Sequence, residues 1–248
     1  MPVTPAHPAA VLALRGTVLP MSALVLGSMV PDAPVFLTGM SGYGITHSWW
    51  GVVTVDLVLV VVGLFVWFAL LRDALVDLAP AAVRDRLPAR ARLSGRQRIL
   101  VPVAAVIGSA THLVWDAFTH AYGWGTSHVA WLRAEHAGLE GYRWLQYVSG
   151  VLGLSIVLAA AAVEVSRRER QRPARPWSSS LPRWAVPTSA VVAALIGGAV
   201  AVRHAPDGVH AQAFNGVVAA GVSGVVLLLL LAISWHVDRR RAVRRPLL

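Results

Sequence analysis

Five stretches of this chain are long and apolar enough to cross a bilayer, and no other property limits its fold as strongly. They are residues 50–71, 99–118, 145–165, 185–202 and 215–235. Crossing the hydrocarbon layer takes about 20 residues of helix. Ionisable groups inside these stretches are few: Asp56, His112, Asp116 and Glu164. Charged residues make up only 14% of the chain, against about a quarter in a soluble domain. Trp49, Trp50, Trp144, Trp184 and Trp235 lie near the ends of the stretches, where aromatic side chains mark the membrane–water interface. The expected fold is therefore all-α, a polytopic transmembrane helical bundle.

Residues 8–30 have spanning length but read differently. Arg15 sits near their centre, at a cost of about 2.5–3.5 kcal/mol on insertion scales. Pro20 interrupts them, because proline lacks the N–H and clashes with the preceding turn. Two short helices, 8–18 and 21–30, folded as an N-terminal re-entrant hairpin fit better, since protein can bury irregular backbone at membrane depth. The expectation is five spans plus this hairpin; the alternative is six spans. The hairpin would return His7 to the side where Asp32 lies.

All 22 basic residues are arginine, and their placement orients the chain. Seven fall in 72–98, six in 167–183 and five in 239–245. These are alternate connections and the tail, so the positive-inside rule makes them cytoplasmic, C-terminus included. The formal charge of +10 then reads as topogenic and implies no nucleic-acid partner. Segments 39–49, 119–144 and 204–214 face the other side of a bacterial cell membrane. The chain contains no cysteine, which excludes disulfides, thiolate nucleophiles and cysteine metal sites. No signal peptide is read at the N-terminus. The expected organisation is a metal-site membrane domain over 1–165, a cytoplasmic Arg/Pro-rich linker over 166–184, and two further transmembrane helices with a basic tail over 185–248.

The chemistry concentrates in SATHLVWDAFTH, residues 109–120. Steps of four drift by only about 40° around a helix, so His112, Asp116 and His120 share one stripe. An ionisable group at membrane depth is a functional candidate by default. His7 in TPAHP, Asp32 in GSMVPDAP and His47 in GITHSWW are predicted on the same face of the membrane. Histidine and carboxylate suit zinc and similar divalent metals. Asp116, one turn from both His112 and His120, suits a bridging role between two ions. Each residue also has a structural reading. A His112–Asp116 hydrogen bond would lock two helices, Asp32 would be a turn residue, and His47 would be an interfacial polar group. His128, His136, His204 and His210 read as solvated loop residues. HAGLE, residues 136–140, has the spacing of a ligand pair, but Gly138 weakens any helix there. Asp56 is expected to point away from His47 on one helix and to pair with Arg15. Gln146 is expected to hydrogen-bond a ligand.

Several runs in order, LPMSALVLGSMVPDAPVF, THSWWGVVTVDL, GSATHLVWDAFTHAYGW and YRWLQYVSGVLGL among them, resemble the domain-of-unknown-function 4184 family of bacterial membrane proteins. The order is also similar to predicted membrane-bound metal-dependent hydrolases and, more distantly, to the zinc-dependent phospholipase C fold. There an early His, an Asp, a His and a helical HxxxD bind zinc ions. The resemblance implies His7, Asp32, His47, His112 and Asp116 as metal ligands, with His120 as an addition. The phospholipase pattern also uses an N-terminal Trp and a later HxxxE. This chain begins with Met and offers only His136 and Glu140, so a trinuclear site is not implied.

The leading functional expectation is a metal-dependent hydrolase using a divalent metal, zinc first. Its partners would be membrane lipid and a phosphoester or lipid-linked substrate at the extracytoplasmic face. Asp32 or Asp116 is the candidate general base, if not engaged as a ligand. The alternative is a non-catalytic membrane protein whose polar or metal cluster holds helices together. A transporter would need polar residues continuing through the spans, which are otherwise apolar.

Overall fold

The computed structural model describes residues 4–170 and 181–244. Residues 171–180 of the expected linker and 245–248 of the expected tail lie outside them. The architecture is all-α, with a single two-stranded hairpin among the described residues. Among the described residues, five helices are long and apolar enough to span a membrane: Val55–Leu78, Val101–His128, Gly141–Arg167, Ala185–Arg203 and Val209–Arg241. The protein is a multi-pass membrane protein.

Residues 8–30 do not form one span. Pro8–Val11 and Leu12–Leu14 make a short helical piece, and a second helix runs over Met21–Gly27. Between them Gly16 takes a left-handed conformation (φ 84°), and Pro20, at the N-cap, starts the second helix. The two ends of this segment meet: the Thr4 hydroxyl donates to Asp32 Oδ2 at 2.6 Å.

The stretch expected as one helix over 50–71 is broken. Ser48 caps Trp49–Val53 by accepting from the Gly51 N–H, and a new helix starts at Val55. The chain from His47 to Asp56 is therefore not one continuous helix, and counting helical turns between them does not apply. Asp56 is fully buried, and its carboxylate oxygens have no hydrogen-bond partner among the described residues. No hydrogen bond to Arg15 is formed.

The chain divides into two compact units, Met1–Leu64 with Leu93–Ala162, and Phe65–Arg92 with Val163–Leu248. In the second, Ala74, Leu78, Ala232 and Trp235 form a buried core, and the Trp235 indole donates to Asp77 Oδ2 at 2.9 Å. Ala185–Arg203 and Val209–Arg244 form a helical hairpin in that unit. Small residues let the two backbones touch: a Cβ on Gly197 would lie 2.6 Å from the Gly216 carbonyl oxygen. The first unit carries every residue of the candidate site.

Candidate metal centre

The site begins with two glycines. In the Val101–Thr119 helix, Ala104, Ala105 and Gly108 present a flat, buried face. Met21–Gly27 packs onto it so closely that a Cβ on Gly27 would lie 2.5 Å from the Ala105 carbonyl oxygen, and one on Gly108 2.4 Å from that of Leu24. Ser109 Oγ adds a hydrogen bond to the Gly27 carbonyl at 3.1 Å. This crossing puts the Ser28 carbonyl against His112, 2.8 Å from Nδ1. A carbonyl can only accept, so Nδ1 carries the proton and the Nε2 lone pair points into the cluster.

His47 is oriented the same way. Its Nδ1 donates to the Tyr43 carbonyl at 3.1 Å, and its ring stacks on Tyr43 with centroids 3.7 Å apart. Thr46 anchors this turn by donating to the Pro31 carbonyl at 2.7 Å, beside Asp32. Asp32 is fully buried; Thr4 holds its Oδ2, and its Oδ1 faces His47 Nε2 at 3.7 Å and His112 Nε2 at 3.6 Å.

Asp116, one helical turn beyond His112, faces two ways. Oδ2 lies 3.4 Å from both His112 Nε2 and His47 Nε2. Oδ1 lies 3.6 Å from His7 Nε2 and 3.5 Å from His120 Nδ1. His7 stacks on His112 with centroids 3.9 Å apart and planes 19° from parallel. Burial pushes the His7 pKa down to about 4, which keeps its imidazole neutral and able to ligate. His120 follows the helix in extended backbone, and its Nε2 lies 3.3 Å from Gln146 Nε2.

The spacings decide what the cluster can do. A hydrogen bond between nitrogen and oxygen spans about 2.7–3.2 Å. The His–Asp separations here run from 3.4 to 3.7 Å. Donors tetrahedrally arranged about an ion at about 2.0–2.1 Å sit about 3.3–3.4 Å apart. Asp32 Oδ1, His47 Nε2, His112 Nε2 and Asp116 Oδ2 are all buried without a hydrogen-bond partner. Buried polar atoms are ordinarily satisfied, so orphans that face one another call for an explanation. One donor atom from each of these residues lies within 4.8 Å of all the others, so the group has the geometry to hold a metal ion.

The remaining candidates lie elsewhere. His136 and Glu140 sit in the Glu135–His136 and Leu139–Glu140 strands, joined through Ala137 and Gly138, both at positive φ. Glu140 pairs with Arg143 at 2.7 Å, and His136 stacks on Trp131. His128 stacks on Trp124, and His204 binds Asp207 at 2.8 Å. The supporting roles of Thr4, Tyr43 and the Ser28 carbonyl had no sequence signal of their own. Each depends on contacts between distant segments.

A family model described as "Domain of unknown function (DUF4184)" matches residues 1–234. The chain belongs to the DUF4184 family. No curated protein and no solved structure matches it. The DUF4184 match contains all six clustered His and Asp side chains, together with Thr4 and Gln146.

Proposed function

We propose that this DUF4184 protein is a metal-dependent hydrolase, with zinc the preferred ion. Its substrate is a phosphoester or lipid-linked molecule at the extracytoplasmic face of a bacterial membrane. The observation that carries this reading is the set of buried, unpartnered donor atoms on Asp32, His47, His112 and Asp116, brought together from three elements. A divalent cation held there supplies Lewis-acid polarisation of a phosphoryl oxygen and brings the pKa of a coordinated water toward about 7.

The chain's own residues do the rest. Ser28 and Tyr43 fix the ring tautomers through their carbonyls. Thr4 restrains the Asp32 carboxylate. Full burial of Asp32 and His112 excludes water from one side, which strengthens every charge interaction within. Asp32 Oδ1 and Asp116 Oδ2 each face the Nε2 atoms of His47 and His112, so on this reading these carboxylates hold the cation and do not serve as a general base. Arginine placement supports the outward orientation.

A closed set of four protein donors is also the pattern of structural zinc sites, and this favours the non-catalytic alternative. Full-length protein in detergent separates the two. The hydrolase reading predicts cleavage of bis-p-nitrophenyl phosphate or a phospholipid, lost on chelation and restored by zinc. Stoichiometric zinc with no cleavage of either would favour the structural reading.

Thr4→Val tests the support of Asp32. It removes the donor to Oδ2 while nearly keeping side-chain volume. Zinc affinity should fall about 10–100-fold, the usual cost of losing an outer partner, as read by competition with a chromophoric chelator.

A further inference from the structure

We infer that the arginine-rich end of the second unit binds the phosphate of an anionic phospholipid in the cytoplasmic leaflet, through Arg90, Arg92 and Arg239. This does not depend on the metal centre, whose residues all lie in the first unit.

The site forms where the segment after the Val55–Leu78 helix folds back on it. Arg72 is buried; its Nη1 pairs with Asp73 Oδ1 at 3.0 Å, and its Nη2 donates to the Pro88 carbonyl at 2.6 Å. The second oxygen of Asp73 meets Arg92 Nη2 at 3.3 Å. These bonds lay the segment beside the end of the last helix, where Arg239 is within electrostatic range of both Asp73 and Arg90. The Arg239 guanidinium lies 5.5 Å from the centre of the Trp235 ring, whose indole is held by Asp77.

Negative charge and acceptors are both short here. Residues 72–92 and 235–241 carry eight arginines and four aspartates. With every aspartate matched to one arginine, four positive charges remain. The Arg86 Nε–H is buried with no acceptor among the described residues. Crowded guanidinium groups repel one another, most strongly where hydrocarbon nearby lowers the dielectric. A phosphate supplies the missing charge and acceptors, and guanidinium binds it through paired N–H donors.

Depth in the bilayer identifies the phosphate as a lipid's. Trp184 is 65% exposed and lies between Leu181 and Val186, both packed against the Ala74, Leu78, Ala232 and Trp235 core. An exposed tryptophan at the start of a span marks the headgroup level. Along the last helix, exposed side chains change from Leu230, Ile233 and Val237 to Arg240 and Arg241 within about three turns. A ligand here has acyl chains against the aliphatic stretch and its phosphate among the arginines. The anionic surface of the cytoplasmic leaflet attracts such clusters.

Native mass spectrometry of the full-length protein in neutral detergent tests this, with phosphatidylglycerol, phosphatidylcholine and inorganic phosphate as separate titrants. Wild type should retain one phosphatidylglycerol in preference to phosphatidylcholine. Arg90→Gln with Arg239→Gln should weaken that retention about 30-fold, at about fivefold for each arginine. Arg90→Lys with Arg239→Lys, which keeps the charge, should retain most of it. Arg167→Gln with Arg168→Gln removes the same charge from exposed positions at the end of another helix and should change nothing. Equal retention of the two lipids, or an equal loss in the two glutamine pairs, would overturn the inference. Inorganic phosphate displacing the lipid at equal concentration would show a free-anion site and overturn the lipid assignment.

Discussion

His112→Ala protein should purify without its tightly held cation, with any hydrolytic activity at background. His112 is the only ligand candidate that is fully buried, fixed by a backbone carbonyl and in contact range of both Asp32 and Asp116. Removing it takes away one donor and leaves two buried carboxylates with less to balance them. An uncompensated buried charge costs about 3–5 kcal/mol. Loss of zinc affinity should exceed the roughly 100-fold upper end for an outer partner. His128→Ala is the matched control. Its ring stacks on Trp124 outside the cluster, and metal content should stay at the wild-type value.

Gly108→Val should be as damaging without touching a ligand. Its Cβ would fall 2.4 Å from the Leu24 carbonyl oxygen, 2.8 Å from Ser28 N and 2.9 Å from Gly27 Cα. All three are backbone atoms, so no side chain can swing aside. The Met21–Gly27 and Val101–Thr119 helices must separate, which draws the Ser28 carbonyl away from His112. Overpacking of this kind costs about 1–3 kcal/mol, and the gain in helix propensity over glycine, below about 1 kcal/mol, does not offset it. Thermal unfolding in detergent should shift down, and zinc affinity should fall with it. Gly198→Ala, where an added Cβ meets nothing within 4 Å, should leave both unchanged.

The two substitutions also show how much of the site is written locally. The stripe of His112, Asp116 and His120 is legible because helical spacing alone fixes it, and the two faces of Asp116 follow from its place between two histidines. The spans are legible because lipid requires long apolar runs, and Ala185–Arg203 starts where hydropathy puts it. The last helix runs beyond its apolar part, over Val209–Arg244, because alanine and arginine are good helix formers that need no lipid. Other features are not local. Nothing in TPAH tells that Thr4 will bind Asp32, and nothing in GITH tells that Thr46 will bind the Pro31 carbonyl. The break at Thr54 hides in a continuous apolar run, because hydropathy does not register the non-helical backbone there. His7 and His47 are weak candidates taken singly. They gain meaning from the hairpin and the turn that carry them to His112.

The central claim is that Asp32, His47 and the His112–Asp116 pair, drawn from three elements, surround one cation. Zinc-edge X-ray absorption on purified full-length protein, compared with His112→Ala, tests it most directly. The account predicts a stoichiometric ion with a nitrogen and oxygen shell at about 2.0–2.2 Å and imidazole scattering beyond it, both lost in the variant. Protein without a stoichiometric ion, or with one whose shell is the same after His112→Ala, would contradict it.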